Sequence, residues 1–473
     1  MPKVAPRWVV EPIGSAPPLY TTGGATASGP GNSLDRGGYL RYNVLRPVSE
    51  SSGLEGRLGR PGISRARRDT RRIMGQERLT SKERVCRALA GQSVDLLPAI
   101  PAYLSLFLQD FERAYYIEQY RRRLGRRTRY AVDHEEDTQF RAEALYQAYG
   151  VFKVKPDWIE VHQGGSRSWA EQTQIVVEGG VLYYEDRSSG ERLPMHQAPI
   201  PRGDRRPAAQ SAALTDLWDL SSRLRTEADI DAQLPLLSAG ELLERGDFDL
   251  PRQVVSEYGD DYFISTILDT PFSDAYDLLG FQGLMVIQYD QPALFHHLLK
   301  RKLAQTQEVM GAWAGAGVHG VYVEEVFTGA DMISARSYDQ FVFAYNQPYF
   351  HRMRALGLLP IHYVCGDVIP RLERLVELDI AAVAVEESKK GFSIEIEQVV
   401  DRVRGRVAIL GNVDTIRFGL HGTMEEMAGE VRRQGRIGSQ AKGFLISTGS
   451  PFPLDTNPRI LDTLVATAHS ITS

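Results

Sequence analysis

The chain has 473 residues, of which 42% are hydrophobic and 24% are charged, a composition that excludes intrinsic disorder of the whole chain. No apolar stretch approaches the roughly 18 to 20 residues that cross a bilayer, and the amino terminus lacks the basic-then-apolar order of a secretory signal. The net charge of −5 is unevenly distributed, because residues 1–73 carry 12 basic and 5 acidic side chains and leave −12 for the remainder. Residues 74–473 are therefore too acidic to offer the basic surface that nucleic-acid binding requires.

Only two cysteines, Cys86 and Cys365, occur in the sequence. Two thiols can build neither a disulfide framework nor a four-cysteine zinc site, although one of them could still be reactive or ligate a metal. We therefore expect a soluble cytoplasmic protein that acts without nucleic acid or a membrane.

Residues 1–73 are rich in Gly, Pro, Ser and Arg and show neither helical nor strand periodicity, which predicts a disordered amino-terminal extension. Two origins remain open for it, an organelle transit peptide and a read-through from an upstream start codon, with Met74 as a natural start. The folded part is predicted to begin at Thr80–Glu83, a capping-box pattern followed by a helix that stops at Gly91.

Two helical stretches between residues 101 and 150 are followed by a change of pattern. Apolar and polar residues alternate at Gln174–Asp186, where Gly179 and Gly180 separate two runs rich in β-branched and aromatic residues. This pattern predicts a β-hairpin, placed near residues 170–195 as an insertion in a main domain of residues 74–473.

From about residue 262 the sequence repeats one unit: a short apolar run, a polar turn and an amphipathic helix. The predicted strands are Tyr262–Leu268, Gly283–Ile287, Gly320–Glu324, Leu359–Val364, Ile380–Val385, Val407–Leu410 and Phe444–Ser447. Alternating β and α units predict a parallel sheet, and their spacing of about 22 to 40 residues favours a (β/α)8 TIM barrel over an open doubly wound sheet. In such a barrel the carboxyl ends of the strands form one rim, where we expect the chemistry.

Paired acids end two of the predicted strands. Glu324 and Glu325 lie at the end of one predicted strand, and Glu386 and Glu387 lie at the end of another. Because side chains alternate along a strand, one acid of each pair can face the barrel interior. An inward carboxylate could ligate a metal or bind a cationic group of a substrate. Salt bridges with the lysines that follow are the alternative role of the second pair.

The segment Leu359–Asp367 places an imidazole (His362), a thiol (Cys365) and a carboxylate (Asp367) around one strand end. A thiolate needs a nearby cation or metal to be populated at neutral pH, and zinc is the usual metal. His362 and Cys365 differ by three positions, so they could share a metal only if the strand bends between them. Buried core side chains are the alternative role of both residues.

The segment Gly411–Asp414 places an amide, Asn412, and a carboxylate, Asp414, at a tight turn. Gly411 would let the backbone pass close to a ligand or a neighbour there. A turn-stabilising role is the alternative for Asn412.

These elements resemble the uroporphyrinogen decarboxylase superfamily of (β/α)8 barrels. The resemblance spans about residues 75–470, with residues 150–260 matching only loosely, and it rests on the order and spacing of five short motifs. The motifs are Gly91–Pro98, Thr328–Ser334, Cys365–Gly366, Gly411–Asp414 and Ser447–Thr456.

The superfamily holds two main chemistries. The decarboxylases share an early arginine-rich loop that pairs with substrate carboxylates, whereas the matching segment Pro98–Phe107 of this chain contains no arginine. The corrinoid-linked methyltransferases use zinc to make a thiol acceptor a thiolate, through a His-x-Cys-Gly motif, a late cysteine and an upstream acid. Here Cys365 matches and Glu325 is the matching acid, while Tyr363 and Ser450 occupy the histidine and late-cysteine positions.

The resemblance implies an enzyme closer to the methyltransferases, which moves a methyl group between a separate corrinoid protein and a metal-activated acceptor. The residues it implies as catalytic are Glu325, Cys365 and Asp367. The ligands it implies for a zinc ion are Cys365, His362 and Glu325. The residues expected to contact a small-molecule substrate are Glu387, Asn412, Asp414 and Ser450.

Two alternative functions remain open. One is decarboxylation of uroporphyrinogen, or of a smaller acid, without metal or cofactor, in which Glu325 stabilises a protonated ring. The other is a regulatory or inactive barrel, to which the substitutions at Tyr363 and Ser450 point. The expected oligomeric state is a homodimer.

Overall fold

A computed structural model describes residues 72–73, 76–197, 224–389 and 391–472 of the chain. The predicted disordered extension of residues 1–73 lies outside the described residues, apart from Arg72–Ile73. The chain divides into two compact units, Met1–Gly75 and Gln76–Ser473, and the elements that position the candidate site all belong to the second unit.

The first helix begins where the capping box predicts it. The Thr80 hydroxyl accepts a hydrogen bond from the Glu83 N–H at 3.1 Å, and the Glu83 carboxylate accepts one from the Thr80 N–H at 2.8 Å. Gly91 ends the helix in the left-handed conformation, with φ of 72°.

The described α-helices alternate with strands along most of the chain. They are Ser81–Ala90, Leu104–Leu124, His134–Ala148, Arg167–Gln172, Glu227–Gln233, Ala239–Glu244, Asp249–Tyr258, Pro271–Asp274, Tyr276–Asp290, Pro292–Ala316, Ala335–Ser337, Ala344–Ala355, Leu372–Leu375, Ile396–Val403, Met424–Gly438 and Pro458–Ala468. Tighter 3-10 turns lie at Tyr149–Val151 and Ile369–Arg371, and wider π-helical turns lie at Tyr338–Phe343 and Thr415–Leu420.

The described strands form a parallel sheet and smaller antiparallel elements. In chain order they are β1 (Arg72–Ile73), β2 (Gln76–Glu77), β3 (Arg129–Ala131), β4 (Trp158–Glu160), β5 (Thr173–Glu178), β6 (Val181–Asp186), β7 (Arg192–Pro194), β8 (Phe263–Asp269), β9 (Gly320–Glu325), β10 (Leu359–Val364), β11 (Ala382–Val385), β12 (Ala408–Leu410) and β13 (Phe444–Leu445). The parallel sheet has seven strands in the order β13-β12-β11-β10-β9-β8-β4. The predicted α/β class with a parallel sheet is therefore confirmed.

The backbone of residues 98–100 joins the two outer strands of this sheet. The Ile100 N–H donates to the Ile446 carbonyl at 2.8 Å, and the Asp157 N–H donates to the Ala99 carbonyl at 2.9 Å. Ala99 and Ile446 form a parallel bridge. The seven strands and this segment together form a curled sheet that is consistent with a TIM-like barrel.

Side chains of these strands alternate between an inner core and an outer core. The inner core, enclosed by the sheet, includes Trp158, Tyr322, Ile361, Tyr363, Ala382, Ala384 and Leu410. The outer core, between the sheet and the helices, includes Val321, Val323, Val364, Val383, Val385 and Ile409. The two-residue period of a strand therefore decides which residues can reach the barrel mouth.

The strand predicted at Gly283–Ile287 is wrong, because these residues lie in the helix Tyr276–Asp290. Leu284 and Gln288 are buried one helical turn apart, while Val286 is 43% exposed. A short apolar run fits a buried strand and a helix equally well, and here tertiary packing selects the helix.

The sequence-based prediction also omitted the closing segment 98–100 and the strand β4. The hairpin around Gly179 and Gly180 is present as β5 and β6, and both glycines have positive φ, 56° and 84°. Positive φ at both central residues is what a tight two-residue hairpin turn requires. Strands β3 and β7 flank this hairpin in a four-stranded antiparallel sheet.

None of the helices in the part of the chain that the structure describes is both long enough and apolar enough to span a bilayer.

A buried ion-pair network holds the first helix against the start of the barrel strands. The Arg84 guanidinium donates to Asp157 at 2.6 Å and to Asp95 at 2.8 Å, and the Asp157 carboxylate also lies 2.7 Å from His469 Nε2. Burial alone would raise the pKa of the fully buried Asp157 carboxyl, but His469, Arg84 and the Ala99 N–H outweigh it and lower that pKa.

We predict that Arg84→Met lowers the free energy of unfolding by about 3 kcal/mol, because it leaves the Asp157 carboxylate buried with one partner fewer. Urea unfolding measures this, and Arg87→Met, on the exposed face of the same helix, serves as the matched control. Because the pKa of Asp157 is lowered, its contribution is present above the ordinary aspartate pKa and is lost as the pH falls through the lowered value. Equal unfolding midpoints for both variants would contradict the prediction.

Candidate active site

Three carboxylates converge inside the barrel at the ends of alternate strands. Glu160 ends β4, Glu324 is the penultimate residue of β9, and Glu386 directly follows β11. The residues two positions earlier all belong to the inner core: Trp158, Tyr322 and Ala384. Alternate strands contribute to one layer of a TIM-type barrel, and we call Glu160, Glu324 and Glu386 the inner acid cluster.

Glu324 is held toward its protonated form. Burial is the largest influence and raises the pKa of its carboxyl, and the charges of Glu160 and Glu386 raise it further. The nearby Tyr103 hydroxyl lowers the pKa but does not offset these effects. A partly exposed carboxyl whose pKa is raised in this way can act as a general acid.

Glu160 is fixed by contacts from three directions. The Ser105 hydroxyl donates to its carboxylate, and His162 Nε2 lies 3.2 Å from the same carboxylate oxygen. The Glu160 N–H donates to the Tyr149 hydroxyl at 3.1 Å. Because Ser105 follows the closing segment 98–100, closure of the barrel and placement of this acid are coupled.

Three tyrosine rings pack together below the inner acid cluster. The ring centroids of Tyr103, Tyr322 and Tyr363 lie 5.4, 5.5 and 5.6 Å apart. The Tyr363 hydroxyl donates to the Gly449 carbonyl at 2.8 Å. Tyr103 has a φ of 54°, a left-handed conformation that costs a non-glycine residue about 1 kcal/mol or more. The packing of these rings therefore offsets local backbone strain.

Cys365 places a thiol at the mouth of the barrel. It follows Tyr363 by two positions, is half-buried and packs against the inner core. The next residue, Gly366, has a φ of 103°, and its N–H donates to the Glu386 carboxylate at 2.8 Å. Asp367 lies in the rim loops, where its N–H donates to Asp331 at 2.9 Å.

Lys389 bridges the two acids that follow β11. Its ammonium group donates to Glu386 at 2.6 Å, to Glu387 at 3.1 Å and to the Ser450 hydroxyl at 2.7 Å. The Ser450 hydroxyl lies 2.9 Å from both oxygens of Glu387. The expectation that only one acid of this pair points inward is therefore corrected, because β11 ends at Val385 and its alternation ends with it.

Lys389 carries a firmly held positive charge. Burial lowers the pKa of its ammonium group, but the hydrogen bonds and charges of Glu386 and Glu387 outweigh burial and raise that pKa. The side chain is about a third exposed and remains a cation at the mouth.

Asn412 and Asp414 hold backbone groups in place. The Asn412 amide donates to the Glu386 carbonyl at 3.0 Å and to the Ile394 carbonyl at 2.9 Å, so both of its N–H bonds are used. Asp414 caps the π-helical turn that follows it by accepting from two backbone N–H groups at 2.9 and 2.8 Å. Both side chains shape the rim, and Asn412 does so by joining the segments of Glu386 and Ile394 to its own.

Glu325 and His362 face the helical layer, away from the barrel mouth. Both are fully buried, and His362 Nε2 lies 3.1 Å from a Glu325 oxygen. The Thr328 hydroxyl donates to the Glu325 carboxylate at 2.7 Å, and the Asn346 amide donates to it as well. The expected inward orientation of Glu325 is thus corrected to Glu324, because the alternation that turns Tyr322 inward turns Glu324 inward too.

The zinc ligands expected from the resemblance do not converge. Cys365 lies on the inner side of the sheet, whereas His362 and Glu325 form a pair on its outer side. Within the ranges that the structure describes, no group of three or more His, Cys, Asp or Glu side chains could hold a metal ion. A protein zinc site needs at least three such ligands, so the residues present do not fit it.

Sequence reasoning missed Glu160, Tyr103 and Tyr322. Glu160 ends a three-residue strand, too short for a periodic signal, although its place two residues after a tryptophan was visible in Trp158-Ile-Glu-Val. Tyr103 lies in the segment Pro98–Phe107, which drew attention only because it lacks arginine. No sequence signal separates the Tyr322 hydroxyl from those of other core tyrosines.

The curled parallel sheet and the acids at its carboxyl edge define an α/β protein of the TIM-barrel type with an acidic candidate site. A family model described as uroporphyrinogen decarboxylase (URO-D) matches residues 226–471, which is more than half of the chain. The chain therefore belongs to the uroporphyrinogen decarboxylase family.

Two individual proteins illustrate this similarity. A uroporphyrinogen decarboxylase from Methylococcus capsulatus is 23% identical over 191 residues, which cover 40% of this chain and 52% of that protein. The chain thus matches about half the length of this relative. A solved structure of a methyltransferase from Methanosarcina mazei superposes with a TM-score of 0.54 at 15% identity, covering 83% of this chain and 99% of the other. This second likeness is one of fold.

Because Glu324 faces inward and Glu325 outward, replacing each with glutamine should have a different effect on the free energy of unfolding. Glu325→Gln should lower the free energy of unfolding by about 2 to 3 kcal/mol, because an amide N–H would meet the buried donors of His362 and Asn346. Glu324→Gln should leave stability unchanged or raise it, because it removes one of three like charges. Urea midpoints of the two variants test this, and the reverse order would contradict the assigned orientations.

The electrostatics of the cluster predict a measurable titration. The Glu324 carboxyl should titrate above the ordinary glutamate value of 4.5, and Glu386→Gln should move its pKa downward by removing a like charge. Carbon-13 NMR of carboxyl-labelled glutamate can follow this signal, which Glu324→Gln identifies by its loss. The exposed Glu425→Gln is the control that should not move it, and an unshifted Glu324 would contradict the prediction.

Proposed function

We propose that this chain is a small-molecule methyltransferase of the uroporphyrinogen decarboxylase family, in which Glu324 protonates the atom from which the methyl group departs. The observation that carries the proposal is the acidic mouth of the barrel. Glu324, Glu160 and Glu386 converge there, and Glu387 adjoins them. A carboxyl whose pKa is raised at the reaction site can donate a proton to a leaving heteroatom.

The reaction breaks the bond between a methyl carbon and a heteroatom of the substrate. A new bond forms between that carbon and the acceptor nucleophile, the heteroatom keeps the electron pair of the broken bond, and it takes the proton of Glu324. The substrate leaves demethylated and protonated, and Glu324 is then reprotonated from solvent. The Tyr103 hydroxyl lies near the Glu324 carboxyl and influences its pKa.

A porphyrinogen that carries many carboxylates fits this mouth poorly. Arginine pairs carboxylates most strongly because it donates two parallel hydrogen bonds, and Pro98–Phe107 contains no arginine. The Lys389 ammonium is already engaged by Glu386 and Glu387. Additional carboxylates would meet like charges in a poorly solvated space, which costs binding energy.

The acceptor is proposed to reside on a separate corrinoid protein, which would supply the nucleophile that receives the methyl group. The fold is shared with a protein named a methyltransferase, so a barrel of this shape is compatible with such chemistry. No step is assigned to zinc, because Cys365 lies apart from His362 and Glu325. The chain's own contribution is to bind and orient the substrate and to deliver one proton.

The proposal can be tested with free reduced cobalamin as the methyl acceptor and a panel of methylated amines, ethers and thioethers under anaerobic conditions. We expect the absorbance of methylcobalamin to appear with at least one substrate. Glu324→Gln should slow this reaction about 100-fold or more, and least for substrates whose leaving group needs no proton. Glu425→Gln serves as the matched surface control.

Two results would contradict the proposed function. One is anaerobic turnover of uroporphyrinogen by a protein that transfers no methyl group from the panel. The other is methyl transfer at an equal rate in Glu324→Gln and in the unmodified chain.

A further inference from the structure

Tyr322 carries a hydroxyl that the proposed reaction does not use. The side chain is fully buried, and its hydroxyl has no hydrogen-bond partner among the residues that the structure describes. The charges of Glu324 and Glu160 and the thiol of Cys365 act on this hydroxyl, so it points among the inner acid cluster. A buried hydroxyl without a partner destabilises the fold, and a bound polar ligand would remove that penalty.

The groups around Tyr322 are mostly hydrogen-bond acceptors. The carboxylates of the inner acid cluster only accept when ionised, and a phenol oxygen can accept as well. The three acids also repel one another, which the raised pKa of Glu324 reflects. A ligand that donates hydrogen bonds and carries positive charge would satisfy the acceptors and reduce the repulsion at the same time.

Lys389 shows what the acids at this mouth bind. Its ammonium group is held by two carboxylates, Glu386 and Glu387, and by the oxygen of Ser450, at 2.6, 3.1 and 2.7 Å. Glu386 thus contacts an ammonium group already, while the charges of Glu160 and Glu324 act on the Tyr322 hydroxyl. The rings of Tyr103, Tyr322 and Tyr363 lie next to these acids and would add cation–π attraction.

We propose that the Tyr322 hydroxyl and the Glu160 carboxylate bind an organic ammonium group that keeps at least one N–H bond, and that the carbonyl oxygen of the Glu324 carboxyl accepts a hydrogen bond from it while the O–H of that carboxyl remains available to the reaction. The inference rests on the proposed function, because it names the substrate class of that site. These substrates are small methylated molecules that the site recognises by an ammonium group. The methyl-bearing heteroatom is a separate atom of the substrate, which faces Glu324 at the mouth. A metal ion is not proposed as the ligand, because within the described ranges no group of three His, Cys, Asp or Glu side chains, the inner acid cluster included, has an arrangement that could hold one.

Calorimetric titration with ethylammonium chloride tests the site directly, with ethanol as the neutral compound of the same size and sodium acetate as the anion, all at equal ionic strength. We expect saturable binding of ethylammonium, with a dissociation constant of roughly millimolar order for so small a ligand, and no binding of ethanol or acetate. Tyr322→Phe should weaken ethylammonium binding about tenfold, while the melting temperature of the free protein stays the same or rises.

The melting temperature shows whether Tyr322→Phe is folded, and ethylammonium binding by the folded variant then shows whether the hydroxyl contacts the ligand. If Tyr322 were only a packing residue, Tyr322→Phe would leave ethylammonium binding unchanged, and this result would overturn the inference. Binding of acetate in place of ethylammonium would overturn it as well. Glu160→Gln should abolish binding, and Glu425→Gln should have no effect.

Failure of this inference and failure of the proposed function are distinguishable, because binding requires no methyl transfer. Methyl transfer from neutral substrates without ethylammonium binding would overturn the ammonium site and leave the proposed function intact. Ethylammonium binding by a protein that transfers no methyl group would support the ammonium site while the proposed function fails.

Discussion

The two-residue period of the barrel strands is the constraint on which the candidate site depends. In β9 it turns Tyr322 and Glu324 inward and Glu325 outward, and in β10 it turns Tyr363 inward and His362 outward. Residues that are adjacent in sequence therefore serve different purposes. The inward set builds an acidic mouth above aromatic rings, and the outward set builds a buried polar contact that attaches the sheet to its helices.

Several carboxylates buried close together repel one another, and neighbouring groups offset part of this repulsion. Ser105 and His162 hold Glu160, and Lys389 neutralises part of the charge of Glu386. Among the residues that the structure describes, no cation of this kind contacts Glu324, and burial together with the charges of Glu160 and Glu386 raises the pKa of its carboxyl. The arrangement that would let this residue act as the proposed proton donor would also disfavour anionic substrates, since both properties follow from unbalanced negative charge in a poorly solvated space.

The sequence predicted most of this architecture because its signals are local. The capping box at Thr80, the glycine pair of the hairpin and most of the barrel strands are patterns of a few neighbouring residues. The sequence gives no strand signal for the closing segment 98–100, since it is three residues long, begins with Pro98 and is followed by Pro101, and β4 is equally short. Motif spacing predicts Glu325 as the inward acid. Tyr322 lies two positions before Glu324, and this spacing places Glu324 on the same inner face as Tyr322. Contacts across the barrel, such as those of Lys389, leave no local signal.

The closing segment also has a consequence for how the chain is made. The Ser447 hydroxyl donates to the Ile100 carbonyl, a contact between residues 347 positions apart. One edge of the segment can pair with β4 early in synthesis, but its other edge has no partner until the last barrel strand has been translated. At about 5 to 20 residues per second this takes roughly 20 to 70 seconds. During that interval an unpaired strand edge is open to pairing with other nascent chains, so the yield of native protein should depend on how crowded the polysomes are.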